Sequence, residues 1–265
     1  MVDVSHHRGP SQFGRAYQIM LQNDAHAPGS VDRVLLERMV RLCSETAAYL
    51  YEEYTPTTIR YERGSRPELQ QYVEEAVGGC ASDEERMAGI AGFLIRIADR
   101  AEANDLDAML FGGMEEEIIN RGTDFCVYLT RVGCVMCQVA GFPARLVNLF
   151  NTDQAYSGHA VIEGYRGGIW GAVDTSTGVV YRHSDGRPAT TWELMHQAGL
   201  IEAHSGFYST VGQFRGAAVS NYFVWDWKDY DYTVTGINDY YRSILEMSSR
   251  RWPGGLRWLH GEDKA

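Results

Sequence analysis

Apolar residues recur at helical spacing in VDRVLLERMVRLCSETAAYLYEEY, residues 31–54, and again from Ser82 to about Ala103. Ser82 and Glu85 have the spacing of a capping box, so the second of these helices is expected to start there. A longer helix is predicted from Phe125 to Ala140. It is entered through Gly122, Thr123 and Asp124, with Thr123 or Asp124 as N-cap, and closed by Gly141, Phe142 and Pro143. Beyond it the period shortens to alternation. LVNLF at 146–150 reads as a strand, and HAVIEGY at 159–165 with IWGAVD at 169–174 reads as a hairpin around Gly167-Gly168. A short helix capped by Thr190 and Glu193, an alternating aromatic strand YFVWDWKDYDY at 222–232, and a last helix near 239–252 complete the pattern. The fold class expected is α+β: a helical N-terminal layer, 1–110, packed on a mainly antiparallel sheet carried by 111–265. Gly112-Gly113 is the loop between them. No repeat and no low-complexity linker divides the chain, so one compact domain is expected.

Within this pattern three residues stand in contexts that suit one chemistry. Cys126 falls in the first turn of its predicted helix, where unpaired backbone N–H groups and the helix dipole favour a thiolate. Asp124 opposes that effect, so an imidazolium partner is needed, and His159 at the head of its strand is the candidate. With a two-residue turn at Arg166-Gly167, or a four-residue turn from Tyr165 to Gly168, His159 lies directly opposite Asp174 on one face of the hairpin. A one-residue slip would put Asp174 on the wrong face. Nucleophile at a helix start, base on a strand and orienting acid across a hairpin make a thiol acyl-transfer constellation.

The stretch from Gly122 to Asp174 resembles the core of the transglutaminase-like superfamily, whose fold is similar to that of papain-type cysteine proteases. There a Cys opens a helix that ends in a Gly-Ile-Pro-Ala-Arg type sequence, and a strand, His-Ala-x-x-Glu and Trp-x-x-x-Asp follow. The counterparts are Cys126, GFPAR at 141–145, LVNLF at 146–150, HAVIE at 159–163, and Trp170 with Asp174. The resemblance implies a papain/transglutaminase-like fold, with Cys126 as nucleophile, His159 as general base and acid, and Asp174 as the orienting group. It also implies an oxyanion hole, for which the Cys126 backbone N–H and the side chain of Asn120 are candidates. Arg145 is expected to be structural, paired with an acid under the sheet. Where the family has Gly two residues before the Cys and an aromatic three after it, this chain has Asp124 and Leu129.

Composition narrows the partners. With 265 residues, 45% of them hydrophobic, the chain can bury a substantial core. A net charge of −11 argues against nucleic acid and anionic membranes. No apolar run reaches the roughly 18 residues of a membrane span, and the opening MVDVSHHRGPSQ has no apolar signal core, so a cytoplasmic location is expected. Five cysteines do not make a disulfide framework. Cys134 and Cys137 form one C-x-x-C in mid-helix with no second pair at zinc spacing, and core packing is the expectation, with neither metal nor cofactor implied. Trp225 and Trp227 lie in the aromatic strand. They pack against the helical layer or form a substrate platform beside the active site.

The reading is a cysteine-dependent acyl-transfer enzyme acting on a small-molecule, peptide or glycan substrate, by hydrolysis or by amide formation. Two alternatives stand beside it. One is a carbohydrate-active enzyme on the same Cys/His/Asp scaffold, motivated by the aromatic and acidic C-terminal region and by Asp124 and Leu129. The other is a binding protein with a vestigial triad. Oligomeric state is not legible.

Overall fold

A computed structural model of the chain describes residues 40–53, 63–64, 66–101, 115–151, 154–197, 214 and 216–220. In order, the elements are β1 (Val40–Leu42), α1 (Ser44–Ala48), a π-helical turn (Tyr49–Glu53), α2 (Pro67–Val77), α3 (Asp83–Ala98), α4 (Glu115–Arg121) and α5 (Cys126–Val139). They continue with β2 (Ala144–Asn151), β3 (Gln154–Arg166), β4 (Ile169–Asp174), β5 (Val179–Val180), α6 (Thr191–His196) and β6 (Gly216–Ser220). The strands form one sheet in the order β1-β6-β2-β3-β4-β5, antiparallel at every described pairing. This is the expected α+β architecture. None of the described helices is long and apolar enough to cross a membrane.

Strand alternation divides the core in two. Ala144, Leu146, Ala160, Ile162, Val173 and Ala218 pack with α2, α3, α4 and α5. Val147, Leu149, Val161, Trp170, Ala172, Ala217 and Val219 pack on the other face against Ala47, Leu50 and Leu194, from α1, the π-helical turn and α6. Burying β2 and β3 on both sides is why LVNLF and HAVIE read as nearly continuous apolar runs. The capping boxes at Ser82–Glu85 and Thr190–Glu193 both form as the spacing predicts.

Three expectations are corrected. Residues 31–54 are expected as one helix, but Val40–Leu42 form a strand against Val219–Ala217, and a helix starts at Ser44, where the Cys43 N–H donates to Thr46 Oγ1 at 3.0 Å. Long-range pairing overrides a helical period where the residues are also good strand formers. The N-cap of α5 is Phe125, with no side-chain cap, and Thr123 instead accepts from the Phe125 N–H at 3.2 Å. The hairpin turns on Gly167-Gly168, both with positive φ (59° and 87°), so Arg166 faces Ile169 and Ile162 faces Val173. Left-handed conformation at both turn positions is what glycine permits at no steric cost. The tip therefore sits one residue later than expected, and His159 is not directly opposite Asp174.

Buried ions lock the layers together. Glu163 accepts from Arg145 Nε at 2.8 Å, Tyr51 Oη at 2.7 Å and the Thr191 N–H at 2.8 Å. Arg145 also donates to the Leu50 carbonyl at 3.1 Å and lies 3.9 Å from the Trp170 ring centre. The arginine is thus structural and paired with an acid, as the sequence indicates. Its partner is the Glu of HAVIE.

Candidate active site

Cys126 is the first residue of α5, and the chain reaches it through a constrained turn. Gly122 ends α4 with φ of 79°, its N–H donating to the Ile118 carbonyl at 3.0 Å. A Cβ there would come within 2.7 Å of the Arg100 backbone, so glycine is required twice over, by conformation and by contact. The start of α5 is tied down from within as well. Arg131 Nε donates to the buried Glu115 at 2.7 Å, and Arg66 pairs with the same carboxylate at 2.8 Å and with Glu116. Burial alone would raise the Glu115 carboxyl, but Arg131 and Arg66 outweigh it and hold it below its ordinary range. No side chain caps α5; the Tyr128 and Leu129 N–H groups donate to the Phe125 carbonyl at 3.0 and 3.1 Å, and the amides of Cys126 and Val127 are the ones at the helix start that suit an anion. The thiol is partly exposed.

His159 and Asp174 meet despite the shifted turn. Moving the tip by one residue changes the pairing by two, which preserves the face, so the two side chains are diagonal neighbours rather than opposed ones. His159 Nε2 and Asp174 Oδ2 are 3.1 Å apart, with both side chains buried. The other Asp174 oxygen accepts the Ser176 N–H at 2.9 Å. Phe214 stacks on the imidazole at 6.4 Å, nearly parallel.

The electrostatics favour a cation at His159. Burial by itself disfavours the imidazolium, but the Asp174 carboxylate and the Cys126 thiol beside it outweigh that and raise His159 to about 9. With Nε2 on the carboxylate, Nδ1 is the nitrogen left for the thiol. Tyr181 is buried beside the same carboxylate, and burial and then the Asp174 charge push its hydroxyl well above the ordinary range, so it stays neutral.

Helix α5 and the antiparallel strands β2, β3 and β4, with Cys126, His159 and Asp174, fall inside the stretch that is similar to a known family. Residues 70–175 match the family model of the transglutaminase-like superfamily. The matched stretch runs from within α2 to just past the end of β4 and takes in Cys126, His159 and Asp174. Among solved structures, the chain is similar to a protein from Cytophaga hutchinsonii named "Putative Cysteine Protease", at 18% identity and a TM-score of 0.34. The alignment covers 56% of this chain and 48% of that one, so the chain spans about half the length of the structure it matches. No curated protein matches the sequence.

Other residues singled out by sequence fall outside this cluster. Asn120 is exposed on α4, its amide donating to Glu68 at 2.7 Å and its carbonyl accepting from Tyr72 at 2.6 Å, so the side chain offered as an oxyanion donor is hydrogen-bonded to α2. Cys134 and Cys137 are buried, with thiols raised chiefly by that burial, and Cys137 touches Met87 at 3.6 Å. They pack the core that helix α5 presents to α3. Trp225 and Trp227 lie outside the described residues. Sequence reasoning passed over Thr130, a polar residue one turn beyond Cys126 on an otherwise apolar helix face.

Proposed function

We propose that the chain is a cysteine-dependent acyl-transfer enzyme, with Cys126 as nucleophile, His159 as base and acid, and Asp174 holding the imidazole. The observation that carries this reading is the buried 3.1 Å contact between His159 and Asp174, on an imidazole that Cys126, in the first turn of an uncapped helix, also helps to raise. An imidazolium paired with a carboxylate favours the thiolate beside it, which is the attacking species.

The Cys126 sulfur attacks the carbonyl carbon of a carboxamide or thioester. A C–S bond forms, the carbonyl π electrons move to oxygen, and the Cys126 N–H is placed to donate to the resulting oxyanion. Collapse expels the amine or thiol, which takes a proton from His159 Nδ1, and leaves an acyl-thioester. Neutral His159 then accepts a proton from water or an incoming amine as it attacks. The C–S bond breaks and the thiolate–imidazolium pair is restored. Hydrolysis and amide formation differ only in which nucleophile reaches the thioester.

Intact mass spectrometry after incubation with a panel of carboxamides, thioesters and glycosides tests this. The expected result is an acyl adduct or acyl turnover with wild type and neither with Cys126→Ala. Undiminished turnover by Cys126→Ala would refute it, and glycoside turnover alone would favour carbohydrate chemistry instead.

A further inference from the structure

Thr130 lies four residues after Cys126, on the same face of α5 and one turn further from the helix start. A threonine inside a helix commonly returns its hydroxyl to the carbonyl four residues back, which here is that of Cys126. Thr130 does otherwise. Its Oγ1 donates to the Ala160 carbonyl at 3.0 Å and lies 3.1 Å from Thr175 Oγ1, with all three residues buried.

The proton inventory fixes the direction of this relay. A threonine hydroxyl carries one hydrogen and can accept as well as donate. Since the Thr130 hydrogen goes to a carbonyl that can only accept, the Thr130–Thr175 bond must be donated by Thr175. The chain therefore runs from Thr175 O–H to Thr130 Oγ1, and from Thr130 O–H to the Ala160 carbonyl. Its three stations are the helix that bears Cys126, the residue after His159 and the residue after Asp174.

We propose that Thr130 is a positioning residue, a buried hydroxyl that sets the spacing between the Cys126 turn and the backbones carrying His159 and Asp174. The proposal rests on the acyl-transfer reading of those three residues. Its physical basis is that Thr130 Oγ1 adds two directional hydrogen bonds, to the Ala160 carbonyl in β3 and from Thr175 just past β4, to the apolar packing of α5 on the sheet. An apolar residue of the same shape keeps the volume but leaves the spacing to non-directional packing, and reacting groups displaced by about 1 Å can lose on the order of a hundredfold in rate.

The test is the rate of iodoacetamide labelling at each cysteine, read by peptide mass spectrometry from pH 5 to 10, for wild type, Thr130→Ser, Thr130→Val and Thr175→Val. Expected for both valine variants is a loss of about tenfold to a hundredfold at Cys126 near pH 6, where reactivity depends on the imidazolium. The rates should converge with wild type near pH 10, where a thiol ionises unaided. Thr130→Ser should label within a few-fold of wild type, and buried Cys134 and Cys137 should stay unlabelled throughout, reporting an intact fold. A wild-type profile in folded Thr130→Val overturns the proposal. So does reactivity at Cys134 and Cys137 accompanying every Cys126 loss in both valine variants, since the hydroxyls would then be holding the core rather than the site. Wild-type protein that does not label Cys126 ahead of Cys134 and Cys137 refutes the acyl-transfer reading itself, a separate outcome.

Discussion

Asp174→Asn is the substitution whose consequence can be worked furthest. His159 is raised to about 9 against burial that pulls it down, and the Asp174 carboxylate 3.1 Å away is the largest influence raising it. Moving an imidazole from its ordinary 6.5 to about 9 favours the protonated folded form by roughly 3 kcal/mol. The sign follows from linkage. Below pH 6.5 the imidazole is protonated both folded and unfolded, and the full contribution is present. Between 6.5 and 9 the unfolded chain loses its proton while the folded one keeps it, so the contribution declines, and above about 9 it is gone. Asn at 174 removes the negative charge and leaves burial to dominate, so the variant should lose up to roughly 3 kcal/mol at pH 6, with the gap to wild type narrowing steadily towards pH 9.5. Tyr181, beside the same carboxylate, stays neutral across this window and adds no slope. Urea denaturation at pH 6, 7.5 and 9.5 measures the gap, and a Cys126→Ala background removes the titration of the thiol together with its smaller share of the shift. A gap that is constant, or that widens with pH, would refute the reasoning.

Three further outcomes are expected. Limited iodoacetamide treatment of folded protein should modify Cys126 first, because Cys134 and Cys137 are buried with raised thiols; peptide mapping that finds those two modified ahead of Cys126 would remove the nucleophile assignment. Cys126→Ala and His159→Ala should each abolish nearly all turnover in a steady-state assay while leaving circular dichroism unchanged, and full activity in His159→Ala would end the mechanism. Arg145→Met should cost about 3–5 kcal/mol in chemical denaturation by leaving Glu163 buried without its cation, with labelling of Cys126 in the remaining folded protein unchanged.

How much of this was legible in the sequence depended on whether a signal was local. The limits of α5 were readable within a residue because Gly122 before it and Gly141 and Pro143 after it stop a helix in any context. The contact between His159 and Asp174 was anticipated for a partly mistaken reason: the turn was set at Arg166-Gly167, whereas two left-handed glycines make Gly167-Gly168 the tip. The error survived because strand faces repeat every two residues, so the shift kept both side chains on one face. Val40–Leu42 reads as helix because the described strand that pairs with it, β6, is far along the chain. Asn120 was placed by its offset from Cys126, and nothing near it in sequence announced Glu68 and Tyr72. Thr130 carries a signal, a hydroxyl in an apolar stripe, but its partners lie far along the chain, in the middle of β3 and just after β4.

The position of β6 between β1 and β2 has a consequence for how the protein is made. When a ribosome has released the chain only as far as β5, the hairpins of β2, β3 and β4 can already pair, yet β2, which carries Val147 and Leu149, still presents an open edge, and β1 lacks its partner among the described strands. An uncovered apolar edge is the kind that recruits strands from other molecules. The emerging chain stays exposed to that hazard until Gly216–Ser220 has been synthesised and inserted. Truncation before β6 should therefore yield aggregates even though Cys126, His159 and Asp174 are all present.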